Sequence, residues 1–249
     1  MIKMRYRTIA DDRGFSLIEL LLALAIGVIV ISALYISMTE GHRASTGIEQ
    51  KISAQQDVRA ALDIIGGEVA MASFNPLMGG SLWVNPTTCQ ASTAMTNKGI
   101  QIAAPNQLAI EMDINESGSI ATSGTADPNE VIIYNYDAAN QQITRQTGCA
   151  GPQAFLGNVG APSATARNVL VVNTNATLAL AVPMFRYFDG SGTEIFPTVI
   201  NTAPIPNIRK IRVTIIVQAA SSDVQGQKRI MTYSSDIIPR NHVIPASSP

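Results

Sequence analysis

Charge is scarce in this 249-residue chain: Lys, Arg, Asp and Glu make up 14% of it, and the formal net charge is −1. Without a basic excess there is no dense positive patch of the kind that nucleic-acid binding requires, so no nucleic-acid partner is expected. Aromatic residues contribute only 5%, and the chain holds two histidines, His42 and His242, and two cysteines, Cys89 and Cys149. No CxxC or HExxH spacing occurs, which leaves little for metal chemistry. GxSxG, a P-loop and paired catalytic carboxylates are missing as well. Hydrolytic and nucleotide-dependent activities have no support. The chain does not read as an enzyme, and no cofactor is expected.

What the chain does have is one long apolar run. Phe15 to Met38 is 24 residues with Glu19 as its only charge. At about 1.5 Å per residue, a helix of that length covers the roughly 30 Å hydrocarbon core of a bilayer. Lys3, Arg5, Arg7 and Arg13 precede it, against Asp11 and Asp12. That basic excess keeps the N-terminus cytoplasmic and sends the remainder outward. An ordinary cleaved secretory signal fits poorly, because the run is too long and no small-residue cleavage site follows it.

Glu19 is the anomaly. A lone carboxylate in a membrane helix costs roughly 2.5–3.5 kcal/mol on insertion scales, so it normally has a partner. No Lys or Arg follows within the run, and His42 and Arg43 lie more than six helical turns away. Cleavage between Gly14 and Phe15 would create a partner, a free α-amino group on Phe15 four residues from Glu19. Within one chain the two could meet at i, i+4 spacing. Between chains, the amine of one subunit could meet Glu19 of the next, and the carboxylate would then register the assembly.

The stretch "GFSLIEL", residues 14–20, behind a short basic leader resembles the type III signal of the type IV pilin superfamily. The resemblance implies that a prepilin peptidase cuts after Gly14 and methylates the new N-terminal Phe15. It also implies that Glu19 is the glutamate used in assembly.

The helix is expected to continue past the membrane. Ile48, Ile52, Val58, Leu62, Ile65 and Val69 recur on one face, with Glu49, Lys51, Gln56, Arg59 and Asp63 on the other. "NPLMGG" from Asn75 stops it. One helix from 15 to about 73 would be near 90 Å long at about 1.5 Å per residue. Gly66 and Gly67 would mark either a close helix–sheet approach or a short kink. No proline lies between Phe15 and Asn75, so Gly27 is the one weak point in the membrane half.

Beyond Gly80 the chain turns strand-like. "QLAIEMDI" alternates Leu108, Ile110, Met112 and Ile114 on one face. "EVIIYNYD" and "QQITRQT" read as a hairpin, as do the runs flanking Asp189-Gly-Ser-Gly. "IRKIRVTIIVQ" sets Ile211, Val213, Ile215 and Val217 on one face, and "QKRIMTYSSDI" should pair with it after a polar loop. Segments 84–99, 115–129 and 148–168 read as surface loops, and the tail from Pro239 as loosely held. The expected fold class is α+β: a long N-terminal helix packed on one face of a mainly antiparallel sheet. Its parts are a cleaved leader (1–14), a membrane or filament-core helix (15–38), an amphipathic continuation (39–74) and a β-rich domain (75–249).

Cys89 and Cys149 would lie outside the cytoplasmic membrane, where disulfides persist. Compartment and even count point to a bond between them over two free thiols. The chain-entropy account gives such a bond roughly 3–4 kcal/mol. "DGSGTE", Asp189 to Glu194, has oxygen ligands at short spacing, but it lacks the alternating acids of an EF-hand and reads as a hairpin turn, and no metal is expected. "DPNE" from Asp127 reads likewise. His42 reads as an interface residue rather than a ligand, and Lys210 and Arg212 as a solvated pair of charges.

The layout also resembles the pilin superfamily, most closely PilW-type minor pilins and J-type pseudopilins of type II secretion. The resemblance implies prepilin peptidase, other minor pilins with the major pilin (or pseudopilins), an inner-membrane assembly platform and membrane lipid as partners. It further implies a single-pass inner-membrane protein whose β domain is periplasmic before it joins a pilus or pseudopilus.

Overall fold

The computed structural model describes residues 14–78, 82–91, 99–122, 125–127, 129–157, 169–196, 204–219 and 228–243. The leader and its charges at Lys3, Arg5, Arg7, Asp11, Asp12 and Arg13 lie outside the described residues, Gly14 excepted. So do Gly79 and Gly80, parts of the three expected loops, the polar loop 220–227 and the tail from 244.

One helix, α1, spans Leu17–Met71 and contains no proline. It runs unbroken through Gly66 and Gly67. A Cβ on Gly66 would meet Ile237 at an ordinary 4.0 Å and one on Gly67 would meet nothing, so neither glycine marks a close approach. The helix stops where Ser73 adopts a left-handed conformation (φ 68). The Ser73 N–H donates to the Glu111 carbonyl at 2.9 Å, which ties the stop to the sheet. Pro76 then prevents the helix from resuming. The chain divides into two compact units, one up to Thr46 and one from Gly47 onward.

In the second unit, Ala54, Val58, Ala61, Leu62, Ile65 and Val69 are buried as one stripe. The steps of three and four along it are those of one helix face. Ile48 and Ile52 depart from the expected face: they are 60% and 48% exposed, because the packed stripe begins only at Ala54.

The β region forms two five-stranded antiparallel sheets where a single sheet is expected from the sequence. The first is a meander of β1 Ile100–Ala104, β2 Gln107–Glu111, β3 Val131–Asp137, β4 Gln142–Thr147 and β5 Gln153–Gly157. The second comprises β6 Val169–Val171, β7 Phe185–Phe188, β8 Glu194–Ile195, β9 Lys210–Ala219 and β10 Ile230–Ile237. β10 pairs along β9 from Ile211 to Gln218, while β7 and β6 share its other edge in tandem. Between them the buried Asn173 substitutes for a strand: its Nδ2 donates to Thr214 O at 2.7 Å and its Oδ1 accepts from Ile216 N at 2.8 Å. β6 and β7 therefore do not form one continuous neighbour of β9.

Both sheets contribute to one core with α1. Leu108, Ile110 and Tyr134 from the first, and Val213, Ile215 and Val217 from the second, belong to the same buried cluster as Val58 and Ile65. Ile114 of the expected alternating face is 42% exposed, because β2 ends at Glu111. A smaller cluster of Leu82, Trp83, Val84, Cys89, Ile120 and Val131 lies beside the main one. Gly99 (φ +78) sits at their junction, where an added Cβ would come within 2.8 Å of Glu111 O, Ser73 Cα and the Trp83 ring. Only glycine fits there.

Candidate processing and assembly site

Gly14 and Phe15 precede α1, and the Phe15 side chain is 84% exposed. Ser16 is the last non-helical residue, and its carbonyl accepts from the Glu19 and Leu20 N–H groups at 3.0 and 3.1 Å. Glu19 bends back in turn, and its Oε2 accepts from the Ser16 N–H at 3.4 Å. Ser16 and Glu19 thus occupy the N-cap and N3 positions of a capping box, with the glutamate half formed. The pattern Ser-x-x-Glu ahead of an apolar run is the sequence signal for this cap, and it adds Ser16 to the residues of the segment.

The capped geometry limits what one chain can do for its own carboxylate. A negative charge at a helix N-terminus gains about 0.3–1 kcal/mol from the dipole. That is less than the roughly 2.5–3.5 kcal/mol cost of a charge at the middle of a membrane helix.

Residues 20–39 of α1 carry no charge. Leu17, Ile18, Leu24, Ile29, Ile31 and Tyr35 are all more than half exposed. Two hydroxyls of this stretch bond within the helix: Ser32 Oγ donates to Val28 O at 2.7 Å and Thr39 Oγ1 to Tyr35 O at 2.8 Å. That is what a lipid environment without water requires. Charge resumes at Glu40 and Arg43, which pair at 3.2 Å, with the exposed His42 between them. By length and composition α1 can cross a membrane.

The other sequence-derived candidates lie apart from this segment. Cys89 and Cys149 are joined by a disulfide, with Cα atoms 5.9 Å apart. Asp189 Oδ1 accepts from Ser191 N, Ser191 Oγ and Thr193 N at 2.7–2.9 Å, and the Ser191 hydroxyl foremost holds its carboxyl below the ordinary value. The Glu194 carboxylate pairs with Arg186. Asp189 Oδ1 and the Glu194 carboxylate of this hairpin turn are thus engaged within the turn and its strands. Lys210 and Arg212 both pair with Asp236, at 3.4 and 2.6 Å, and surround the Phe188 ring. The Arg212 guanidinium, first among the causes, brings the Asp236 carboxyl down to about 2. Asp127 O accepts from Glu130 N at 3.2 Å, closing the turn at 127–130, of which Pro128 is not described.

Residues 9–35 match the family model of the prokaryotic N-terminal methylation motif. No curated protein matches the chain, and no solved structure does. The motif is that of structural rather than catalytic proteins, and it places Gly14, Phe15 and Glu19 within the matched residues. Joined to a long helix packed on antiparallel sheets, it supports a type IV pilin-like prepilin.

Proposed function

We propose that this protein is a minor type IV pilin, cut by prepilin peptidase after Gly14 and N-methylated at Phe15, that helps prime pilus assembly and sits at or near the tip. The observation that carries the reading is the methylation motif at residues 9–35, leading into an apolar helix whose one charge before Glu40 is Glu19, in its first turn. In this mechanism the helix stores the subunit in the inner membrane with its β domain in the periplasm. Other minor pilins align with it through their helices, the methylated amine of one subunit meeting Glu19 of the next. Major pilins then add beneath this group as the inner-membrane platform extracts them. A β domain built from two sheets is tolerable at a tip, where it need not repeat along a filament. Deletion of the gene in a strain unable to retract pili tests this. Loss of surface pili in electron micrographs, restored by the intact gene, is the expected result. Undiminished pili would overturn the priming role and favour a J-type pseudopilin of type II secretion, which uses the same helix chemistry.

A further inference from the structure

The connection between β2 and β3 collects acidic and amide oxygens. Asp113 is fully buried, and its carboxylate accepts from Ser117 N at 3.0 Å and Gly118 N at 2.9 Å. Asn115 Oδ1 accepts from Ser117 N at 2.9 Å, and Asn115 Nδ2 donates to Asp127 Oδ2 at 2.6 Å. Oxygen-bearing side chains thus fall at 113, 115 and 117, followed by Gly118 in a left-handed conformation (φ 73). That alternation, ending in a glycine turn, is the first half of a calcium-loop pattern.

Glu130 supplies the independent observation. It is only 1% exposed and reaches into this loop from the turn just before β3, its Oε1 accepting from Ile114 N at 3.1 Å and Asn115 N at 3.3 Å. Its Oε2 is buried and has no hydrogen-bond partner. Burial pushes the Glu130 carboxyl up from its ordinary value, and the Asp127 and Asp113 carboxylates push the same way, against the Asn115 and Ile114 amides. Among the described residues, no Lys, Arg or His forms an ion pair with any of these three acids. A buried carboxylate oxygen with no donor and two like charges nearby calls for either a proton or a cation.

We propose that the Asp113–Ser119 loop, closed by Glu130, is a calcium-binding site. No group of three or more His, Cys, Asp or Glu side chains able to hold a metal forms among the described residues. The coordination therefore rests on Asp113 and Glu130 together with amide, hydroxyl and backbone oxygens and water. A mixed oxygen set of that kind suits Ca²⁺, which takes six to eight ligands in adaptable geometry, better than Mg²⁺, which demands a strict octahedron. In the EF-hand the closing glutamate comes from the same loop; here it comes from the turn leading into β3, and the ion would pin the β2–β3 connection at the start of β3.

The test uses the full-length chain in detergent, stripped of metal with chelator. Equilibrium dialysis against ⁴⁵Ca²⁺ measures uptake, and thermal unfolding is followed with calcium, with magnesium and with chelator alone. Expected are one ion per chain, a melting point raised by calcium above the magnesium value, and affinity at least tenfold weaker in Glu130→Gln. Glu130→Gln keeps the side chain's shape and removes its charge, so it should fold without metal. Glu116→Gln, in the same loop at an exposed position, should bind as the parent does. No uptake by the parent, uptake unchanged in Glu130→Gln, or an equal response to magnesium would each overturn the proposal.

Discussion

Glu68 on α1 and Arg145 on β4 form a two-pronged pair: Arg145 Nη2 donates to Glu68 Oε1 at 2.5 Å and Nε to Oε2 at 3.2 Å. The Tyr134 hydroxyl donates to the same Oε2, and Tyr134 lies directly across from Arg145 in the β3–β4 ladder. Both charged side chains are only about a fifth exposed. One carboxylate therefore fixes the rotation of the helix over the first sheet. Glu68→Ala leaves a half-buried guanidinium and a buried phenol without their acceptor. It should cost about 2–3 kcal/mol, between the values for exposed and fully buried pairs. Urea unfolding measures this, and a loss below about 0.5 kcal/mol would show the pair to be no better than a surface contact.

Glu111 sets a pH dependence. Burial pushes its carboxyl up to about 8, against the opposing hydrogen bonds from the Val84 amide and the Gln101 side chain. In the unfolded chain the same carboxyl titrates near 4.5. Between those values the folded protein holds a proton that the unfolded chain has released. Stability should therefore fall as pH rises from about 4.5 to about 8, by at most about 1.4 kcal/mol per unit, and level off above. Glu111→Gln, which mimics the protonated acid, should remove that slope. Melting curves from pH 5 to 9 on both proteins decide it, and parallel profiles would refute the assignment.

The Cys89–Cys149 bond closes a separation of 60 residues. Cys89 packs with Trp83, the chain's single tryptophan, in the smaller cluster. Replacing both cysteines by alanine should lower stability by roughly 3–4 kcal/mol. Trp83 fluorescence provides a local readout, and its emission should shift red if this cluster loosens. An unchanged melting point with and without reductant would mean that the smaller cluster holds by packing alone.

At the N-terminal segment two substitutions separate processing from assembly. A Cβ on Gly14 would meet nothing within 4 Å, so the chain itself tolerates a larger residue there. A bulky replacement should nevertheless block cleavage, and N-terminal sequencing that still begins at Phe15 would contradict this. Glu19→Ala removes the costly carboxylate and should leave membrane insertion intact. Its recovery in sheared filaments should drop; wild-type recovery would defeat the idea that Glu19 aligns subunits.

Much of this arrangement is legible along the chain because its causes are local. The helix follows from a proline-free run with a periodic apolar face, and Pro76 keeps it from resuming after Ser73. The hairpins at 138–141 and 189–193 follow from turn residues between alternating strands. Ile48 and Ile52 show the limit of such reasoning: periodicity marks a face as apolar without saying where packing along it begins.

Other features depend on residues far apart in sequence. Glu68 meets Arg145 across 77 positions, and Ser73 meets His242 across 169, at 2.9 Å. No local pattern encodes such pairings, which arise only when the sheets are placed against the helix. The gap between β6 and β7 along β9 likewise hinges on Asn173, whose side-chain amide completes backbone bonds on β9 that a strand would otherwise make.

The sequence by itself determined the membrane-length helix, the methylation motif with Gly14, Phe15 and Glu19, and the α+β class, because each rests on residue order within a few turns or strands. Only the tertiary structure decided which carboxylates are buried, which cations are spent in pairs and which oxygen of Glu130 is left without a partner. Those properties depend on distances through space, which a one-dimensional pattern does not contain.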